Sequence, residues 1–595
     1  MDTATGNTIH RVVLHDETRK RWLLFRNPIR LLEVTSLEDV IPTLQFVEQQ
    51  VMQQKRFAAG FISYEASSAF DAAFCTRIPD TNFPLLWFGL YSEPEEINLP
   101  EPDFKTYSLG DPIPSVNKGE YNRAISRIKE HIRSGNTYQV NYTMQMDTPF
   151  SGDPWNLFLA MVRAQSPGYA AWIDTGRFAI CSASPELFFK LDKDRLTCKP
   201  MKGTVRRGRT YQEDESLSEW LSKSEKNRAE NLMIVDMVRN DLGRVAEAGS
   251  VSVNRLFEVQ KHPTLWQMTS TIVARSSKSF SDILSAIFPC ASITGAPKVR
   301  TTRIIAELEK TPRNIYTGCI GYLAPGPTAQ FNVAIRTAVV DRINGVATYN
   351  TGGGIVWDSS SEDEYTEALL KTRVLKVQKP EFSLLETILW TENEGYFLLD
   401  RHLKRLTDSA AYFEFPLDVD AVRGVLAQES FRFSRKSYRV RLLVGRSGSI
   451  QTESTVFFPE ESLQDTRVGI AKTPVRSKDI FLFHKTTIRN VYDEALKSFP
   501  DCGDVLLWNE NGELTESTIA NIVLDINGEL YTPPVSSGLL PGVFRSSLID
   551  QGVIHERILK VPDLARCDTI FLINSVRKWR KAVLVENNGS TDKQN

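Results

Sequence analysis

The five residues Val377-Gln378-Lys379-Pro380-Glu381 constrain the fold more than any other feature of the chain. A helical run over roughly 362–377 arrives there, and proline disfavours helical geometry in the residue before it. Beyond it the texture changes to short strands with tight turns. Val505 to Trp508, Thr518 to Asp525 and Glu529 to Tyr531 are separated by Asn511-Gly512 and Asn527-Gly528. With 595 residues, the chain also exceeds what one hydrophobic core organises. The sequence therefore predicts an α+β protein of two domains, 1–378 and 382–586, with a polar tail, 587–595, expected to be disordered.

Composition excludes several classes. Hydrophobic residues at 41% and charged residues at 24% are ordinary for a globular chain, and the net charge of -2 leaves no basic footprint for nucleic acid or an acidic membrane. The start has neither a basic n-region nor an apolar h-region. Runs such as Leu85 to Tyr91 are too short to span a bilayer and read as core strands. Seven cysteines, odd in number and never in C-x-x-C spacing, fit a reducing cytoplasm, which is the expected location. The N-x-[ST] matches at Asn141 and Asn588 then read as chance.

Within the first part, Tyr121 to Arg133 has helical spacing and stops near Gly135. Glu225 to Asn240 predicts a second helix, with Leu232, Ile234, Val235 and Val238 as its apolar positions. Val339 to Tyr349 predicts a hairpin around Asn344-Gly345, a dipeptide suited to a type I′ turn. Residues 1 to about 60 carry no interpretable motif. Glu364, Glu367 and Lys371 lie at i, i+3 and i+7 and so share one helix face, just after Gly352-Gly353-Gly354. Glu230 sits on a different helix, and two glutamates plus waters would suit Mg²⁺, a hard cation preferring oxygen. On spacing alone a solvated face is the plainer reading.

The company of these residues changes that weighing. Ser184-Pro185-Glu186, Pro200-Met201-Lys202-Gly203-Thr204, Arg228-Ala229-Glu230-Asn231 and Val238-Arg239-Asn240-Asp241-Leu242-Gly243-Arg244 are followed by Ile293-Thr294-Gly295-Ala296-Pro297-Lys298, Ala334-Ile335-Arg336-Thr337 and the triple glycine. This ordered set, over about 60–377, resembles the chorismate-utilising enzymes, which include anthranilate, aminodeoxychorismate and isochorismate synthases. The resemblance implies a fold of antiparallel sheets with flanking helices. It implies that Glu230 and Glu367, with Glu364 beside them, hold Mg²⁺ on a chorismate carboxylate. Arg336 would take the other carboxylate, with Lys371, Thr294 and Gly295 also at the substrate. Glu186 would protonate the departing hydroxyl. Lys202 matches the nucleophile of the aminodeoxychorismate branch, where anthranilate synthases have alanine. It would attack C2 and expel the C4 hydroxyl, and ammonia would then attack C4 and displace it. Thr137 to Thr143 also resembles that branch. Many relatives have histidine where Gln267 stands, so no histidine acid/base step is expected there; His262 nearby is the weaker candidate.

In the second part, His484-Lys485-Thr486-Thr487-Ile488-Arg489-Asn490 follows an expected strand, Asp479 to Phe483, and precedes an expected helix from Tyr492. Around it stand Leu399-Asp400-Arg401-His402-Leu403-Lys404-Arg405-Leu406, Leu514-Thr515-Glu516-Ser517-Thr518-Ile519-Ala520-Asn521, Leu540-Pro541-Gly542-Val543-Phe544-Arg545 and Phe571-Leu572-Ile573-Asn574-Ser575. This series, over 383–585, resembles the fold-type-IV pyridoxal-phosphate enzymes: branched-chain and D-amino-acid aminotransferases and aminodeoxychorismate lyases. The resemblance implies that Lys485 carries the cofactor and moves the proton, and that Glu516 pairs with the pyridine nitrogen. Arg405, the Val543 and Phe544 backbone and Asn574-Ser575 would hold the phosphate. Relatives often have threonine where Phe544 stands, so a hydroxyl contact is lost.

Together the two resemblances imply conversion of chorismate and ammonia to 4-amino-4-deoxychorismate, then loss of pyruvate to give 4-aminobenzoate, a folate precursor. An anthranilate-type synthase joined to an aminotransferase stays open as the alternative. No cysteine lies in a G-x-C-x-G elbow, so free ammonia or a separate glutamine amidotransferase subunit is the expected nitrogen source. A homodimer through the second domain is left open.

Overall fold

The computed structural model describes residues 10–376, 380–462 and 464–585. It separates into two compact units, one drawn from Met1–Arg206 and Ser218–Lys379, the other from Arg207–Leu217 and Pro380–Asn595. Residues 377–379 at the expected boundary and the tail from 586 lie outside the described residues. Among the described residues no helix is long and apolar enough to cross a membrane.

The first unit is built on two antiparallel sheets, of eleven and ten strands among the described residues. Strand Leu86–Tyr91 shows why they stack. All six of its residues are buried, because successive side chains point to opposite faces and both faces are covered. Leu86, Phe88 and Leu90 meet the helices Val40–Gln54, Glu225–Gly243 and Phe280–Ile287. Trp87 and Tyr91 meet Val12, Leu14, Phe25 and Ile180 of the other sheet. That sheet covers its outer face with the helices Lys118–Arg133, Pro154–Gln165, Lys298–Leu308 and Ser361–Thr372. The result is a sandwich of two sheets between two helical layers.

Local signals set these elements. Helix Lys118–Arg133 opens on a capping box, Asn117 with Glu120, and buries Tyr121, Ala124, Ile125 and Ile128 at i, i+3, i+4 and i+7. Losing that cap costs about 1 kcal/mol. Gly135, at φ 72°, follows its end. Helix Glu225–Gly243 starts at Ser224 and buries Ile234, Val235 and Val238, whereas Leu232 is turned outward, 44% exposed. Leu232 falls on the polar side with Arg228, Asp236 and Arg239, so of the four apolar positions it alone stays out of the core. The hairpin after Thr337–Asp341 is real, but four residues connect it to Val346–Ile355. Asp341 organises this connection by accepting from the backbone of Ile343 and Asn344. The positive-φ pair typical of a type I′ turn occurs instead at Asn527 (57°) and Gly528 (82°), between paired Ile526 and Glu529.

In the second unit, a four-stranded antiparallel sheet includes Leu384–Thr391 and Ser437–Val444. Helices Leu399–Phe413 and Val419–Ser430 pack their apolar faces on it. The second sheet is mixed. Six of its strands close a ring: Leu514–Ser517, Asp504–Trp508, Thr466–Ile470, Lys578–Leu584, Thr569–Asn574 and Asn521–Ile526, which returns to the first through Glu516 and Asn521. The segment Asp479–Phe483 is not a strand. Asp479 accepts from Phe481 N at 3.0 Å and starts a 3-10 helix, Ile480–Leu482.

Arg207–Leu217 belongs to this second unit, although it lies far upstream in sequence. Asp214 is fully buried and accepts from Arg207 Nε and Nη2 (2.8 and 2.7 Å) and from Gly208 N (2.8 Å). Tyr412 Oη donates to Gly208 O at 2.6 Å, and His484 Nε2 donates to Arg209 O at 3.1 Å.

Candidate active sites

In the first unit Lys202 lies on the strand Met201–Arg206, at a register shift against Leu265–Arg275 that falls between Met201 and Thr204. Such bulges re-aim side chains, and Gly203 supplies the needed φ of 97°. The strand is clamped by Asn231 Nδ2 donating to Lys202 O (3.1 Å) and Gln267 Nε2 donating to Gly203 O (2.8 Å). Gln267 thus holds the backbone here. Burial lowers the Lys202 pKa, and Lys371 lowers it further, against the opposing pull of Glu230, Glu364 and Glu367. A depressed lysine is a nucleophile at milder pH.

Gly354 explains the triple glycine. A Cβ there would lie 2.5 Å from Lys202 Nζ and 2.9 Å from Gln139 Nε2. Gln139 is fully buried and neither atom of its amide has a hydrogen-bond partner among the described residues. Within the motif Thr137 to Thr143 nothing in sequence assigns Gln139 a role of its own. The alternation of Gln139, Asn141 and Thr143 with Val140, Tyr142 and Met144 was the available signal: one polar face on a strand whose other face is core.

Glu186, buried, immediately precedes strand Leu187–Asp192. Burial raises its pKa to about 7, and a 2.6 Å hydrogen bond from Ser292 Oγ opposes that rise. Ser292, just before the Thr294-Gly295 motif, was not foreseen. Thr294 Oγ1 is engaged with Cys290 O (2.8 Å), and Gly295 (φ 135°) pairs with Val140, where a Cβ would meet Gln139 O at 2.1 Å. Arg336, also at positive φ (49°), donates to Gln165 Oε1 at 2.5 Å. His262 is held neutral: burial, then Arg336 and Lys199, lower its pKa to about 4.

Helix Ser361–Thr372 carries the expected acidic face. Glu364 accepts from Ser359 Oγ (2.8 Å), while Lys371 bridges Glu367 (2.9 Å) and Gly352 O (2.7 Å). Among the described residues no three His, Cys, Asp or Glu side chains group closely enough to hold a metal.

In the second unit a cavity of about 560 Å³ collects Arg405, Lys485, Glu516, Val543, Phe544, Asn574 and Ser575 in its walls. Lys485 is fixed by its carbonyl, which accepts from Leu385 N at 2.9 Å. Burial, with Arg405 next, lowers its pKa to about 8. Burial raises Glu516 to about 7; Tyr492 Oη (2.8 Å) and Leu540 N (3.2 Å) both donate to its Oε1. Arg405 is held in place by Glu386, to which Nε and Nη2 donate at 2.9 and 2.7 Å, and by Pro541 O at 3.1 Å. Gly542 caps helix Val543–Asp550, so the Val543 and Phe544 N–H groups lie in its first turn, a natural anion site. The Phe544 ring packs against Phe397 and Trp579. Asn574 Oδ1 accepts from Val576 N and Arg577 N, so its side chain shapes the following turn, while Ser575 is buried at the wall.

Comparison with known proteins fits this geometry. Residues 9–377 match the family model of the chorismate binding enzymes, and residues 383–585 match that of amino-transferase class IV. Aminodeoxychorismate synthase component 1 of Escherichia coli K12 is 42% identical over 280 residues, 47% of this chain and 61% of that protein. A probable chloroplastic aminodeoxychorismate synthase of rice is 44% identical over 263 residues, 43% of this chain and 29% of that protein. The chain thus spans less than two thirds of the length of these curated relatives. Anthranilate synthase component I of Streptococcus pneumoniae shares the fold (TM-score 0.53, 23% identity, 63% of this chain and 94% of that one). The chain belongs to the chorismate binding enzyme family, and its later region matches amino-transferase class IV.

Proposed function

We propose that the chain makes 4-aminobenzoate from chorismate in two steps, an amination in residues 1–378 and a pyruvate elimination in 382–586. The observation that carries the first half is a half-buried, pKa-depressed Lys202 beside a protonatable Glu186. Neutral Lys202 Nζ bonds to C2 while Glu186 gives its proton to the C4 hydroxyl, which leaves as water. Ammonia then bonds to C4, the C2–N bond breaks, and the surplus proton returns to the Glu186 carboxylate. Glu230 and Glu367, with Glu364 adjacent, would hold Mg²⁺. Two protein carboxylates suit this ion, which usually keeps waters and binds substrate oxygens rather than filling an all-protein cage. Arg336 and Lys371 would orient the carboxylates.

The cavity of the second unit fits pyridoxal phosphate: a half-buried lysine of lowered pKa, an acid for a ring nitrogen and a helix first turn beside an arginine. When bound, the cofactor supplies an electron sink at the amine-bearing carbon. Lys485 holds it and moves the C4 proton, Glu516 keeps the ring nitrogen protonated, and Arg405 with the Val543, Phe544 and Ser575 region holds the phosphate. Loss of the C4 proton and of pyruvate leaves an aromatic ring. Ammonia arrives free or from a separate glutamine amidotransferase subunit. The seven free cysteines support a cytoplasmic location, and a homodimer through the second unit is the proposed assembly.

The test supplies aminodeoxychorismate without any keto acid. Pyruvate released over many turnovers supports the lyase. Arrest after one equivalent, with the cofactor left aminated, would assign an aminotransferase instead.

A further inference from the structure

Among the described residues, six arginines and Lys485 line the cavity of the second unit, against a single carboxylate, Glu516. Four of the six are already engaged. Arg405 is held by Glu386, and Arg441 donates to Glu453 at 3.0 Å. Arg545 donates to Pro533 O at 2.7 Å and pairs with Glu556, while Arg489 donates to Thr518 O at 2.6 Å. Arg439 and Arg577 remain. Neither guanidinium has a hydrogen bond or an ion pair among the described residues.

Strand alternation aims Arg439. Leu384, Ile388, Val440, Leu442 and Val444 face the helices Leu399–Phe413 and Val419–Ser430. The residues between them on the same two strands therefore project from the opposite face, and Leu385, Thr387, Arg439 and Arg441 all meet the cavity there. Thr455, paired with Arg439 on the next strand, stands on the same wall. Arg577 comes from the turn between Thr569–Asn574 and Lys578–Leu584, where Asn574 Oδ1 accepts from its backbone N–H at 2.8 Å. Arg439 is exposed and Arg577 half-buried, so both side chains are open to a solute.

We propose that Arg439 and Arg577 each bind one carboxylate of a dicarboxylate amine, which makes this cavity selective for a doubly charged substrate. This rests on the lyase reading of the second unit, whose substrate carries two carboxylates beside its amine. In that reading Arg405 and the N–H groups of Val543 and Phe544 are committed to the phosphate. Two planar forks are left for two carboxylates, a geometry that suits bidentate pairing. An amine with one carboxylate leaves one fork unmatched.

The test uses the full-length protein loaded with pyridoxal phosphate. Binding is read from the change each ligand makes in the cofactor's visible absorbance, so only the second unit reports. Three amines form a matched set: 4-amino-3-(carboxymethoxy)benzoate has two carboxylates, and 4-amino-3-methoxybenzoate and (2-aminophenoxy)acetate have one each. Wild type should bind the first about tenfold or more tighter than either of the others, the worth of a hydrogen bond to a charged group. Arg439→Gln should abolish the preference over one monocarboxylate, and Arg577→Gln the preference over the other. Neither change strands a buried partner charge, so both variants should fold. Equal binding of all three amines by wild type, a variant that keeps both preferences, or two variants that lose the same one would overturn the inference. A protein that takes up no pyridoxal phosphate, or that halts after one equivalent of aminodeoxychorismate, fails the lyase reading itself, which is a separate result.

Discussion

Removing the Ser292 hydroxyl should make the first active site work at more alkaline pH. Ser292 Oγ donates to Glu186 Oε1 at 2.6 Å, and this bond favours the ionised carboxylate. A hydrogen bond to a charged group is worth about 1.5–3 kcal/mol, and part of that survives with the protonated acid. The difference is on the order of 1.4 kcal/mol, or about one pKa unit. Glu186, at about 7 in the native protein, should move up toward ~8 in Ser292→Ala. In the proposed mechanism the active form of Glu186 is the protonated one, so a raised pKa moves the alkaline limb of kcat/KM upward by the same amount. The assay follows chorismate consumption between pH ~6 and ~9.5, with the concentration of uncharged ammonia, rather than total ammonium, held constant. The reasoning is refuted if the limb stays in place or moves to lower pH.

Three further outcomes are expected. Lys202→Ala should slow chorismate amination on the order of a thousandfold while chorismate still binds; an unchanged rate with ammonia would sink the covalent route. Chelating Mg²⁺ should stop chorismate consumption but spare pyruvate release from supplied aminodeoxychorismate, and equal loss of both would dissociate the metal from Glu230 and Glu367. Asp214→Ala should destabilise the second unit by about 3–5 kcal/mol, because it strands the buried Arg207 charge; calorimetry showing no change would remove Arg207–Leu217 from that unit's core.

Much of the candidate site was legible because its residues stand in ordered local motifs. Lys202, Glu186, Lys485 and Glu516 are singled out by their neighbours in sequence; the two glutamates are buried and the two lysines half-buried. The partners that tune them were harder to see. Ser292 and Arg207–Leu217 act on residues about a hundred and two hundred positions away, and their own spacing says nothing of that. Glu386 did leave a trace. It sits between Leu384 and Ile388 at inward positions of one strand, where a carboxylate needs buried cations to be tolerated. The Asp479–Phe483 error has a local cause: the apolar run of four, Ile480 to Phe483, is short enough to be either strand or helix, and the Asp479 cap decided it.

The most direct measurement of the whole proposal incubates the purified chain with chorismate, Mg²⁺, pyridoxal phosphate and ¹⁵N-ammonium. The expected result is 4-aminobenzoate labelled at its amine, with one pyruvate for each molecule formed and continued turnover. Formation of labelled anthranilate, or accumulation of an aminated chorismate that never releases pyruvate, would contradict it.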